Sequence, residues 1–166
     1  MSTPMKRTTV MDGQYVSLPL VYNDNVETSA NFEIPVGMVL DPNFMWLVVD
    51  TLDTGETIDV GILSTEVGGD ADGFIAAYSI ATVGTFRVAD MYTATDGSSQ
   101  NYISARYIGA LFSGGLNGAD AAGQAGILAL KSHRGDGTAK TISYTCSAGS
   151  DAFVGRLVFI PRILPL

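Results

Sequence analysis

The chain has 166 residues, 46% apolar and only 16% charged, with a formal net charge of −8; one domain of this size buries a core without disulfides or a structural metal. Its nine basic residues adjoin only at Lys6 and Arg7, so the clustered cations that displace counterions from nucleic acid, or hold an anionic membrane, are missing from the sequence. Typical domains carry about a quarter charged residues, and so little charge suits a surface that is partly covered in an assembly.

Residues 1–14 read as an extended arm and 15–166 as one domain. The arm has no periodicity and holds Pro4 and Gly13. No apolar stretch follows Lys6 and Arg7, so no targeting segment is expected. The longest uncharged stretch, 73–86, falls short of the roughly 20 apolar residues that cross a bilayer. Val16, Leu18 and Leu20 alternate with Ser17 and Pro19, the period of a half-buried strand, and Pro19 places it at a sheet edge. After a polar connection over 22–29, Phe32, Ile34 and Val36 predict a second strand. A turn at Asp41, Pro42 and Asn43 ends it.

Residues 45–53 form the strongest strand signal, apolar, aromatic and β-branched. A turn at 53–56 leads to a strand over 57–63, and the two are expected to pair as a hairpin. An acidic, glycine-rich loop follows over 64–73, and Asp72 is expected to cap a short helix over 74–78. Strands are expected over 83–90, 102–112, 127–131, 140–146 and 154–160, with a long Gly/Ala-rich surface loop over 113–126. About eight strands with turn signals between them predict an all-β, single-domain antiparallel β-sandwich, jelly-roll-like. Trp46, Leu47, Val49, Ile58, Val60, Ile62, Ile142, Leu157 and Phe159 are expected in its core.

Few residues offer chemistry. Cys146 is the sole cysteine; it reads as a small buried thiol, and the lack of disulfides fits synthesis in a reducing cytosol. His133, the sole histidine, lies in a polar stretch and reads as a solvated loop residue, and no nucleophile-elbow motif accompanies it. Glu66, Asp70 and Asp72 cluster in sequence; they are candidate Ca²⁺ ligands, set against a plain solvated turn, and they do not follow the EF-hand spacing. Arg134, Gly135 and Asp136 spell an adhesion tripeptide, which ordinary turn chemistry also explains. No phosphate-binding or zinc motif is present. No enzyme activity and no catalytic residue are expected.

Two blocks carry a resemblance. Residues 57–74, with Thr57-Ile58-Asp59-Val60-Gly61-Ile62-Leu63 at their start, and 140–151, with Thr141-Ile142-Ser143-Tyr144-Thr145-Cys146 within, are similar to segments of small tailed-bacteriophage virion structural proteins of the capsid decoration or cement type. The resemblance implies a β-sandwich or jelly roll, commonly trimeric, with no catalytic residues. It also implies a place on the head surface of the virion after synthesis in the host cytoplasm, with the major capsid protein and further copies of itself as partners. The alternative is a carbohydrate- or receptor-binding module of a head fibre or tail, for which Trp46 and the seven tyrosines would supply stacking surfaces. The chain ends suggest where partners would be met: Met5, Lys6 and Arg7 in the arm, and Ile163, Leu164 and Leu166 in an apolar tail.

Overall fold

A computed structural model describes residues 13–91, 107–112, 130–149 and 152–163, with the backbone of 93–94 and 103–104. Its strands are β1 (Val16–Val21), β2 (Thr28–Glu33), β3 (Met38–Leu40), β4 (Met45–Thr51), β5 (Thr57–Ile62), β6 (Asp70–Ser79), β7 (Gly84–Arg87), β8 (Thr93–Ala94), β9 (Ile103–Ser104), β10 (His133–Arg134), β11 (Thr141–Cys146), β12 (Val154–Phe159) and β13 (Arg162–Ile163). Short 3₁₀ turns follow Asp41, whose carboxylate accepts from Asn43 N at 2.8 Å, and Arg87.

Eight strands build two antiparallel sheets, ordered β1-β12-β4-β7 and β2-β11-β5-β6. The pairs β1/β12, β2/β11, β4/β7 and β5/β6 are successive rungs of one long antiparallel hairpin. The rungs go alternately to the first and second sheet, which is jelly-roll winding. The chain is therefore an all-β antiparallel sandwich. Its sheets face each other through Phe32 and Phe159, edge to face at 5.4 Å, and through Leu47, Val49 and Leu157 against Ile58, Val60, Ile62 and Ile142, all buried. A smaller sheet, β10-β3-β13, and the pair β8/β9 complete the described strands. Pro19 does sit on an edge strand, opposite Arg156.

Four expectations are corrected. β4 and β5 do not form a hairpin: β4 pairs β12 and β7, while β5 pairs β11 and β6. The 53–56 turn instead carries the chain from one sheet to the other, tied by Asp53 N to Ile80 O and Ile80 N to Glu56 O. Two apolar runs around a polar turn have the same local pattern whether the strands pair or face each other.

The expected helix over 74–78 is part of β6, a ten-residue strand. Its register against β5 breaks twice, and Ala77 has a φ of 47°, so bulges scramble the alternation that marks a strand. On its other edge β6 bonds to residues 107–111, through Ala76 N to Tyr107 O and Gly109 N to Phe74 O. Gly109 is required there, because a Cβ would collide with the backbone at Asp72 and Gly73.

The strand expected through Phe32, Ile34 and Val36 ends at Glu33, and Val36 is exposed. Trp46 is not a core residue. It is half-buried, between Met45 and Leu47, which are both fully buried on the opposite phase. Of the expected strand 102–112, β9 and residues 107–112 are described, with Phe112 buried and stacked on Phe74. The Gly/Ala-rich segment 113–126 and residues 127–129 lie outside the described residues.

Candidate functional site

The acidic loop is a strap. Glu66 accepts from Thr141 N at 2.5 Å and from Thr141 Oγ1 at 2.6 Å. Lys140 Nζ donates to Val67 O. Glu27, which sequence reading passed over, accepts from Ser64 N at 2.9 Å, Ser64 Oγ at 2.5 Å and Ser143 Oγ at 2.8 Å. These bonds hold the loop after β5 across β11, where the polar Thr141 and Ser143 are buried. Burial alone would raise the Glu27 carboxyl; the bonds from Ser64 and Ser143 outweigh it and hold the group below its ordinary value.

Asp70 and Asp72 stand apart from this strap, on β6. Burial, then the neighbouring Asp72 carboxylate, pushes Asp70 up to about 6. The structure thus brings Asp70 to Asp72 but commits both oxygens of Glu66 to Thr141. Among the described residues no group of three or more His, Cys, Asp or Glu side chains is placed to hold a metal ion.

His133 is not a solvated loop residue. It belongs to β10, is half-buried, and lies edge-on to Phe74 at 5.5 Å. Its Nε2 is buried with no hydrogen-bond partner among the described residues. Burial lowers its pKa, with Lys140 and Lys131 adding to the effect and Asp136 opposing it. The adhesion tripeptide is folded into the same region: Gly135 is buried, donates to Met38 O at 2.9 Å and accepts from Gly37 N at 3.0 Å. Asp136 accepts from Thr138 N and Oγ1. Cys146 is fully buried, and burial drives its thiol up to about 12, far from a nucleophile's range.

Of the suggested terminal contacts, Met5, Lys6, Arg7, Leu164 and Leu166 lie outside the described residues. Ile163 packs on its own chain, in β13 opposite Met38 and half-buried against the core. Gly13 N donates to Pro161 O at 3.1 Å, so residue 13 already touches the domain.

The feature with the clearest capacity for binding is the outer face of the first sheet. Register places Ser17, Val158, Trp46 and Arg87 in one row across it, and Pro19, Arg156, Val48 and Thr85 in the next. Val21, Val154 and Thr51 form a third row. Val21 and Val154 are 53% and 44% exposed, and Phe44, just before β4, is 45% exposed. Outward faces of antiparallel sheets are normally polar. The signal in the sequence is β4 itself, Met-Trp-Leu-Val-Val, apolar in both phases of the strand where a one-sided strand would alternate. The charged side chains on these rows are tied up in pairs: Arg156 with Asp50 at 2.9 and 3.0 Å, and Arg87 with Asp90 at 2.8 Å twice.

No protein-family model, no curated protein and no solved structure matches the chain, so the resemblance to phage virion proteins rests on its two sequence blocks alone.

Proposed function

We propose that this chain is a phage virion structural protein of the capsid decoration or cement type, working through its surfaces on the major capsid protein at the virion head. The outer face of the first sheet carries this reading: Trp46 and the valines of β1, β4 and β12, set among paired charges, suit contact with another protein. Of the groups that chemistry would recruit, Cys146 is buried and Glu27 and Glu66 strap a loop. Jelly rolls recur in viral capsids and in lectins, an analogy at the level of fold only. The test is co-sedimentation of the purified protein with tailed-phage capsid shells. Saturable binding that raises the shells' melting temperature supports the reading; no binding to shells overturns it.

The alternative, a carbohydrate-binding module, gains from one observation: Trp46 stands on the outer face with Arg87 opposite it, and an aromatic ring beside hydrogen-bonding groups suits a sugar. Glycans that shift the Trp46 emission, with no binding to shells, would put this reading first.

A further inference from the structure

We propose that the short strand β10 is an acid-released latch, with His133 as its trigger. β10 is the two-residue edge of the small sheet, with His133 opposite Leu40 and Arg134 opposite Val39 on β3. The segment around it is tied by Lys131 N to Phe112 O, Gly135 N to Met38 O and Gly37 N to Gly135 O. An edge element this short opens locally at far lower cost than the six-residue strands of the sandwich. Yet what it covers is core: Met38, Leu40, Phe74 and Phe112 are all fully buried.

The sole histidine of the chain sits in this weak element. Its ring lies against Phe74 at 5.5 Å, and Phe74 stacks on Phe112 at 4.8 Å. A neutral imidazole can leave the buried Nε2 as a bare lone pair. A protonated one must donate from both nitrogens, and Nε2 meets no acceptor among the described residues. A charged, buried N–H without an acceptor costs far more than a bare lone pair. The surroundings oppose the cation as well. β6 turns Phe74 to the ring and β3 sets Leu40 opposite it. The charged groups that act on it are Lys140, Asp136 and Lys131, two cations against one carboxylate. Lys140 is itself buried and bonded to Val67 O on the strap. The Asp136 carboxylate is bonded to Thr138 N and Oγ1, not to the ring. Burial, with the lysines, therefore keeps His133 neutral in the closed latch. Opening returns the ring to solvent, where its ordinary pKa is about 6.5. Below that pH, proton uptake by the open form draws β10 away from β3; above it, the latch stays shut. This inference does not rest on the capsid reading.

The experiment is hydrogen exchange of the full chain at about pH 7.5 and about pH 5.5, read by mass spectrometry and corrected for the intrinsic rate. Residues 130–137 and 38–40 should exchange up to about tenfold faster in acid, the gain that one proton gives over one pH unit. β11 should stay protected over the same interval at both pH values. Asp70, on β6, titrates in this range too, so a variant assigns the effect. His133→Gln, uncharged throughout, should abolish the acceleration; if circular dichroism shows it unfolded, His133→Phe takes its place. The proton resonance of the sole imidazole should titrate below about 6.5. Exchange over 130–137 that ignores pH overturns the inference. So does an acceleration that survives in the variant, an imidazole that titrates at or above its ordinary value, or a β11 that loses protection together with β10.

Discussion

The two sheets of this sandwich share a ladder geometry and finish their outer faces in opposite ways. In the second sheet, residues of both phases of the central strand β11 are buried, because Glu27 and the strap over 63–69 cover Thr141 and Ser143 and satisfy their polar atoms. In the first sheet the outward positions of the two central strands hold Trp46, Val48 and Val158, half-buried, with Arg156 and Val154 exposed between and beside them. A sheet face covered by its own chain can carry buried hydroxyls, since the cover supplies their partners. The first sheet's outer face has no such strap among the described residues, and its charges are paired with each other instead.

That contrast can be broken by mutation. The largest expected effect is in the shared core, where Leu47→Ala should cost about 2–5 kcal/mol by urea denaturation. Trp46→Ala, one residue away on the outer phase, should cost the dilute monomer less than about 2 kcal/mol, since a half-buried ring loses only part of its transfer energy. Equal losses at the two positions would place Trp46 in a core and remove the contrast. Next comes Glu66→Ala, which removes two hydrogen bonds to the buried Thr141 and should cost about 1–3 kcal/mol. Arg156→Ala on the first sheet breaks an exposed ion pair and should leave the midpoint unchanged within error.

Acid should separate the regions further. His133 has a lowered pKa in the fold, so the unfolded chain takes up its proton first, and stability falls as pH drops below about 6.5. Asp70 is raised from 3.8 to about 6. Its contribution is present in full below 3.8 and is lost as pH rises through about 6. The two therefore oppose each other on acidification. Melting temperatures against pH should show a steeper acid loss in Asp70→Asn and a shallower one in His133→Phe; unchanged profiles would mean that neither group senses the fold. The smallest effect is expected at Ala77, whose φ of 47° strains a side chain by about 1 kcal/mol. Glycine relieves the strain but costs about as much in entropy, so Ala77→Gly should move stability by only a few tenths.

Much of the sandwich is legible in the sequence. The alternation of Val16, Leu18 and Leu20 marks β1 and its buried face, and the β-branched runs mark β4, β5, β11 and β12. Pairing is not legible, because it is decided at long range: the 53–56 turn has the same composition whether it closes a hairpin or crosses between sheets. β6 was hidden by its own bulges. β3, β10 and β13 are too short to show a period, and so His133 read as loop. The strap was half visible. Glu66 stands out in the sequence as a metal candidate, but its partner in the strap, Glu27, lies 39 positions earlier, and no local pattern links the two.

The most direct test of the account uses Trp46, the only tryptophan in the chain. Acrylamide quenching of its emission should be measured in the free protein and in the protein bound to capsid shells. The ring on an outward face should be accessible and red-shifted when free, then protected and blue-shifted on the shells. Emission that is blue and protected in the free protein would put the ring in a core; emission that is unchanged on the shells would take the face out of the contact.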